Sequence, residues 1–199
     1  MTFKRMISQM RFWMYLGRGD KRAKYAKKKD LFAEVGEKCW LPSTLPLYPK
    51  LVKIHNNVII HRSVVMVTHD RMNNFLKRIP GAYQFKRTES LCPIEIMDNV
   101  YIGMNCIILG NVRIGPNAII NSGSVITSDV PPNSIVEGNP AKVIGKFDIY
   151  NKTRVLFDTA AKYDVERVAK ETVDQTAIDN AWEVFEKRKN KEQKAANKE

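Results

Sequence analysis

The chain has 199 residues, of which 44% are hydrophobic and 27% charged, proportions ordinary for one soluble domain with additions. Its apolar runs fall far short of the roughly 20 residues that cross a bilayer. The N-terminus MTFKRMISQMRFWMYLGRG lacks a continuous hydrophobic region and a small-residue cleavage site, so no signal peptide is predicted. The cysteines Cys39, Cys92 and Cys106 are an odd number without metal-ligand spacing, which points to a reducing cytoplasm and no metal. Of the net charge of +12, residues 1–30 carry +8, with ten Lys and Arg against two Asp. No base-reading motif accompanies this excess, so nucleic acid is not expected as a partner. A solvated helix face and a contact with anionic lipid both fit.

In chain order, residues 1–34 are predicted as an N-terminal helical segment. Phe3, Met6, Ile7, Met10, Trp13 and Met14 fall at helical spacing, on an amphipathic stretch that packs on the rest of the protein or lies on a membrane surface. A Gly-Arg-Gly-Asp break precedes a second basic helical stretch, KRAKYAKKKDLFAEV. From Val35 a six-residue rhythm begins with Leu41 and Leu47, then, after one extra residue, Ile54, Ile60 and Met66. Prolines 42, 46 and 49 make the first turn of this rhythm irregular. The rhythm stops after VTHD, and residues 70–95 interrupt it with a loop carrying Arg71, Lys77, Arg78, Tyr83, Phe85, Lys86 and Arg87. Long loops in compact domains usually serve a site.

Beyond the loop the rhythm is strict: Ile96, Ile102, Ile108, Ile114, Ile120 and Ile126. A period of six is neither helical nor simply alternating. It suits short strands separated by corners, three sides closing a triangular coil of 18 residues that stacks on itself. The fourth residue after each isoleucine is small (Val100, Cys106, Val112, Ala118, Ser124, Val130), as an inward corner requires, and Gly, Asn and Asp cluster at the bends. Four coils at strand spacing give a prism only about 19 Å tall, a small core that predicts an oligomer. Pro131 and Pro132 are expected to end the strand pattern, with the coiled domain spanning 35–146. Residues 147–199 read as a C-terminal helical extension, with Val165, Val168, Ala169, Val173, Ile178, Trp182 and Phe185 as buried positions and a frayed end after Phe185.

The stretch PIEIMDNVYIGMNCIILGNVRIGPNAIINSGSVITSDVPPNSIVEGNPAKVIGK, ending in GNPAKVIG, resembles the hexapeptide-repeat acyltransferases, in their acetyl-coenzyme A dependent O-acetyltransferase and xenobiotic acetyltransferase branch. The resemblance implies a mainly β protein, a left-handed parallel β-helix flanked by N-terminal and C-terminal helical segments, assembled as a homotrimer with sites between subunits. It also implies a catalytic histidine at the end of the coil before the loop, which here is His69. The chemistry agrees: a hydroxyl attacking a thioester must lose its proton, and imidazole is the side chain suited to take it near neutral pH. His55 and His61 each follow a core isoleucine and should face outward. Thr68 and Asp70 stand beside His69 as candidates to orient it.

For the cofactor, the resemblance implies contacts at Gly103, Met104, Ser122, Gly123, Thr127, Ser128 and Lys142. A tight corner alone would explain Gly103 and Gly123. Ser128 replaces a lysine found in some relatives, leaving Arg113, Lys142 or Lys146 to meet the cofactor phosphates. The stretch LPSTLPLYPKLV lacks the Asn and Asp set of the galactoside and maltose enzymes, which shifts acceptor choice toward the 70–95 loop. The reading is a cytoplasmic O-acetyltransferase acting on a sugar hydroxyl of a cell-surface polysaccharide precursor. The alternatives are an antibiotic acceptor, a β-helical scaffold without activity, and a carbonic-anhydrase-like protein needing three zinc-binding histidines.

Overall fold

The computed structural model describes residues 3–14, 18–81, 86, 89–160 and 175–196. The chain divides into two compact units, Met1–Asn151 and Lys152–Glu199. The first is a stack of coils with three parallel ladders. One ladder joins β1 (Glu34–Val35), β2 (Val52–Ile54), β7 (Ile94–Ile96) and β10 (Val112–Ile114). The second joins β3 (Val58–Ile60), β8 (Val100–Ile102), β11 (Ala118–Ile120), β13 (Ser134–Gly138) and, antiparallel at its edge, β14 (Ala141–Lys146). The third joins β4 (Val65–Met66), β9 (Ile107–Ile108) and β12 (Val125–Ile126).

Register bears out the six-residue rhythm. Ala118 pairs with Val100, Val112 with Ile94 and Val125 with Ile107, each 18 positions apart. Across the loop the partners are 42 apart on all three ladders, as in Val58 with Val100, so the insertion adds 24 residues without disturbing any rung. Between the first two coils Glu34 pairs with Lys53, the one extra residue that the sequence announces. Each three-residue rung turns its middle side chain outward and its flanking pair inward, so Val100 and Ile102 are buried around exposed Tyr101. The small corner positions Cys106, Ala118 and Ser124 are fully buried. The bend between the first and second ladders carries Asn57, Asn99 and Asn117, all at positive φ, an orientation that asparagine tolerates. Their side chains bond in file, Asn57 Nδ2 to Asn99 Oδ1 at 2.8 Å and Asn99 Nδ2 to Asn117 Oδ1 at 2.9 Å.

Two helices cover the first coil. In α1 (Phe3–Trp13) Phe12 is buried and Ile7 half-buried, while Met10 and Trp13, and Met14 just beyond, are exposed, so this end of the apolar stripe does not pack on the coil. Gln9 does the anchoring instead, its amide bonding to the backbone of Ser43 and Leu45. In α2 (Gly19–Lys28) the inward face is Gly19, Arg22, Ala23 and Ala26, and a Cβ on Gly19 would stand 2.1 Å from the Trp40 ring. Buried Arg22 donates from Nε to the Leu41 carbonyl at 2.9 Å, and burial lowers the pKa of its guanidinium.

The prolines at 131 and 132 do not end the strands, because β13 follows them at once and pairs parallel to β11. Past β14 the chain enters α4 (Phe147–Ala160). In the second unit α5 (Gln175–Ala196) runs through the stretch expected to fray. Ile178, Trp182 and Phe185 are exposed rather than buried, with the rings of Trp182 and Phe185 packed edge-to-face at 5.6 Å. Val165, Val168, Ala169 and Val173 lie outside the described residues.

Candidate active site

His69 sits where the third ladder gives way to the loop. It opens β5 (His69–Asp70), which pairs antiparallel with β6 (Ser90–Leu91), and Cys92 N donates to the Thr68 carbonyl at 3.0 Å. These bonds zip the base of the loop shut, so residues distant in sequence meet at the histidine. Within the loop, α3 (Met72–Leu76) leaves Met72 and Phe75 exposed. Tyr83, Phe85 and Arg87 lie outside the described residues.

Neither neighbour in sequence orients the imidazole. The Asp70 carboxylate accepts from Met72 N at 2.7 Å, and buried Thr68 accepts at Oγ1 from Tyr48 N at 3.1 Å. The groups beside the ring are Glu89 and Tyr48. Glu89 Oε1 lies 4.0 Å from His69 Nε2, and Glu89 Oε2 accepts from the Tyr48 hydroxyl at 2.9 Å. The Tyr48 ring packs edge-on against the imidazole, centroids 5.7 Å apart. His69 Nδ1 and Glu89 Oε1 are buried, and neither has a hydrogen-bond partner among the described residues. Buried polar atoms left in this condition are rare, and sites of catalysis are one place where they persist. Tyr48 and Glu89 escaped the sequence reading because 41 positions separate them and Glu89 belongs to the aperiodic loop.

The cofactor positions implied by resemblance fall into two groups. Gly103, Met104, Ser122 and Gly123 share the corner between the second and third ladders, where Met104 N donates to Ser122 Oγ at 3.0 Å and Gly123 N to the Met104 carbonyl at 2.7 Å. Packing accounts for Gly103, since a Cβ there would stand 2.6 Å from Ser122 Oγ; Gly123 has open space and a φ of +79°. Lys142 lies on β14, exposed, next to the turn whose Gly138 N donates to Ser124 Oγ at 3.3 Å, so it belongs to this first corner. Thr127 and Ser128 stand on the other edge of the third ladder, the edge that carries His69 one coil pair below. The third ladder therefore runs between the two groups.

Arg113 is engaged with a carboxylate on the first ladder. Its Nε donates to Glu95 at 2.7 Å, and Glu95 also meets His55 Nε2 at 3.2 Å. These bonds, Arg113's first, hold the Glu95 carboxyl below the usual carboxylate range. His55 thus lies in an outward ionic row, and His61 meets Ser63 Oγ at 3.3 Å. A groove of about 590 Å³ opens on this charged face, with Lys50, Lys53, Glu95, Arg113 and Asp129 in its walls and Pro93 at its border with the loop base. No three His, Cys, Asp or Glu are grouped to hold a metal among the described residues. Burial raises the thiol pKa of Cys39 and Cys106, so neither is poised as a nucleophile.

Short rungs recurring every six residues in stacked coils, broken by one loop that closes beside a histidine, define a hexapeptide-repeat protein. Residues 93–128 match the family model described as bacterial transferase hexapeptide (six repeats). The chain is 40% identical over 135 residues to protein CapG of Staphylococcus aureus, covering 65% of this chain and 74% of that one. It is 30% identical over 148 residues to galactoside O-acetyltransferase of Escherichia coli, covering 62% and 68%. A relative from Schizosaccharomyces pombe, 39% identical over 98 residues, is spanned for only 44% of its length. Among solved structures, a hexapeptide-repeat acetyltransferase from Vibrio cholerae complexed with acetyl coenzyme A superposes with a TM-score of 0.50 at 24% identity, covering 70% of this chain and 85% of that one. The chain belongs to the hexapeptide-repeat acetyltransferases.

Proposed function

We propose that this protein transfers an acetyl group from acetyl coenzyme A to a sugar hydroxyl, with His69 as general base. The observation that carries the reading is the half-buried cluster of His69, Glu89 and Tyr48 at the closed base of the loop. The Glu89 carboxylate beside the ring favours a proton on the imidazole nitrogen that faces it, which leaves the other nitrogen as the proton acceptor. That nitrogen takes the hydroxyl proton as the oxygen attacks the thioester carbonyl, and the imidazolium returns a proton to the departing thiolate of coenzyme A. Glu89 stabilises the transient positive charge. Coenzyme A would lie along the third ladder, between the corner of Gly103, Met104, Ser122, Gly123 and Lys142 and the edge of Thr127 and Ser128. Backbone amides beside it are placed to stabilise the oxyanion.

The sugar acceptor draws support from the similarity to galactoside O-acetyltransferase, and within that class we assign a cell-surface polysaccharide precursor. The exposed Met72 and Phe75 of α3 give the loop an apolar surface with which to cover an acceptor. We assign the coil the left-handed sense of its family and the molecule to the cytoplasm, where its three free cysteines stay thiols.

A homotrimer accounts for the outer faces of the prism. The first ladder exposes a charged row, Glu34, Lys53, Glu95 and Arg113, whereas the second exposes Ile59 and Tyr101 and the third Val65 and Ile107. Two unlike apolar faces on one protomer suit a head-to-tail contact that closes as a ring.

Replacing His69 with Ala tests the mechanism. Turnover should fall about 100-fold to 10,000-fold, the range of positioned general-base catalysis. Coenzyme A affinity and thermal stability should hardly change. A folded variant with near-full activity removes His69 from the mechanism.

A further inference from the structure

The two N-terminal helices fasten to one short stretch of the first coil, residues 41–45. Gln9 of α1 reaches Ser43 and Leu45, while α2 is held through Leu41, whose amide donates to the Gly19 carbonyl at 3.1 Å and whose carbonyl accepts from Arg22. Both helices therefore cover one end of the coil stack, and their inward faces are accounted for. Their outward faces are not. At the end of α1, Met10, Trp13 and Met14 are 58%, 53% and 70% exposed, with exposed Arg11 among them. On α2, Lys21, Lys24 and Lys28 recur at helical spacing and, with Lys29 and Tyr25, line a shallow depression of about 420 Å³ whose lining contains no carboxylate. Nearby lysines are neutralised: Lys27 pairs with Glu37, and Lys50 with Asp30 at 2.6 Å. Lys21, Lys28 and Lys29 form no ion pair among the described residues, and Lys24 acts only at a distance on the Glu37 carboxylate that Lys27 already holds.

We propose that this end of the molecule docks on a bilayer surface containing anionic phospholipid. Unneutralised ammonium groups gathered at one concavity repel each other, and a surface of negative headgroups relieves that repulsion. A tryptophan and two methionines held out in water at the end of the neighbouring helix gain by entering the boundary between headgroups and acyl chains, where an indole is at home. Nucleic acid would satisfy the charge but offers no apolar layer to the methionines. Docking of this kind leaves the coil stack free to act at the membrane surface, and it does not depend on which acceptor the enzyme uses.

The test is co-sedimentation of the full chain with vesicles of phosphatidylcholine alone and of phosphatidylcholine mixed with phosphatidylglycerol. Binding should require phosphatidylglycerol and weaken as salt rises. The triple variant K21Q/K24Q/K28Q should bind roughly 100-fold more weakly, at about fivefold per lysine near a charged bilayer. The double variant M10S/W13S should also lose affinity, at low salt as well as high. All five positions are exposed or half-buried, and melting curves of both variants matching the wild type would show that folding is intact. Trp13 emission should shift to the blue on binding, and the shift should vanish in W13F. Equal sedimentation with both vesicle types, sedimentation with neither, or tighter capture by single-stranded RNA in direct competition overturns the proposal.

Discussion

At the scale of single residues, the histidine stands beside a carboxylate from the far end of the loop and a phenol from the first coil. A hydrogen bond to a charged group is worth about 1.5–3 kcal/mol, so Glu89→Gln should lower kcat roughly 10-fold to 100-fold if the charge acts mainly in the transition state. Tyr48→Phe keeps the ring against His69 and the Glu89 charge in place while removing the bond to Glu89, so its loss should be the smaller of the two. Steady-state rates and a pH profile for both variants check this, and an unchanged rate in Glu89→Gln removes the carboxylate from its positioning role. Glu95 makes a separate prediction. Its carboxyl is held below the usual range by Arg113 and His55, so its ionised form stabilises the fold above about pH 4.3, the ordinary glutamate value, and that contribution is lost as pH falls through the depressed folded value. Because Arg113 is largely exposed, Glu95→Gln should cost only up to about 1 kcal/mol at neutral pH. Urea melts at neutral and strongly acid pH should show the gap between the two proteins closing in acid. His69 was legible in the sequence as the last residue before the rhythm breaks. Its partners were not, because a contact spanning 41 positions leaves no local pattern.

At the scale of elements, the inward rungs were legible because isoleucine at every sixth position states both the strand and its register. The asparagine file was only half legible: Asn99 and Asn117 stand one coil apart, but the loop displaces Asn57 from the series. Asn99→Ala removes two side-chain hydrogen bonds and places a Cβ-bearing residue without a polar side chain at a φ of 59°. At about 0.5–1.5 kcal/mol per bond and 1–2 kcal/mol for the backbone, the expected cost is about 2–5 kcal/mol. Asn99→Gly keeps the backbone comfortable and should cost less, so the difference between the two denaturant midpoints isolates the strain. At the end of α1 hydrophobic spacing did not give the packed positions: the helix is fixed there by Phe12 and by the polar grip of Gln9, while Met10, Trp13 and Met14 stay exposed. In α5 the aromatic pair shelters itself at i, i+3 spacing and leaves both rings largely open to solvent.

At the scale of the whole molecule, the apolar outward rows of the second and third ladders carry the assembly prediction. Light scattering should give about three times the 22.9 kDa of one chain. Tyr101→Glu combined with Ile107→Glu should yield folded monomers that have lost activity, whereas a trimer surviving both charges would place the contact elsewhere. The insertion at the loop has a further consequence. All three ladders resume their pairing after it with the same offset, so the coil stack registers nothing of what is spliced between Asp70 and Ser90 except that its ends meet. Closing a longer loop costs only about 0.6 kcal/mol per doubling of length. The segment can therefore be exchanged like the bit of a drill. Grafting another family member's loop onto this shaft, with Glu89 and the β5–β6 pairing kept, offers a way to change the acceptor while the chuck that holds the histidine stays the same.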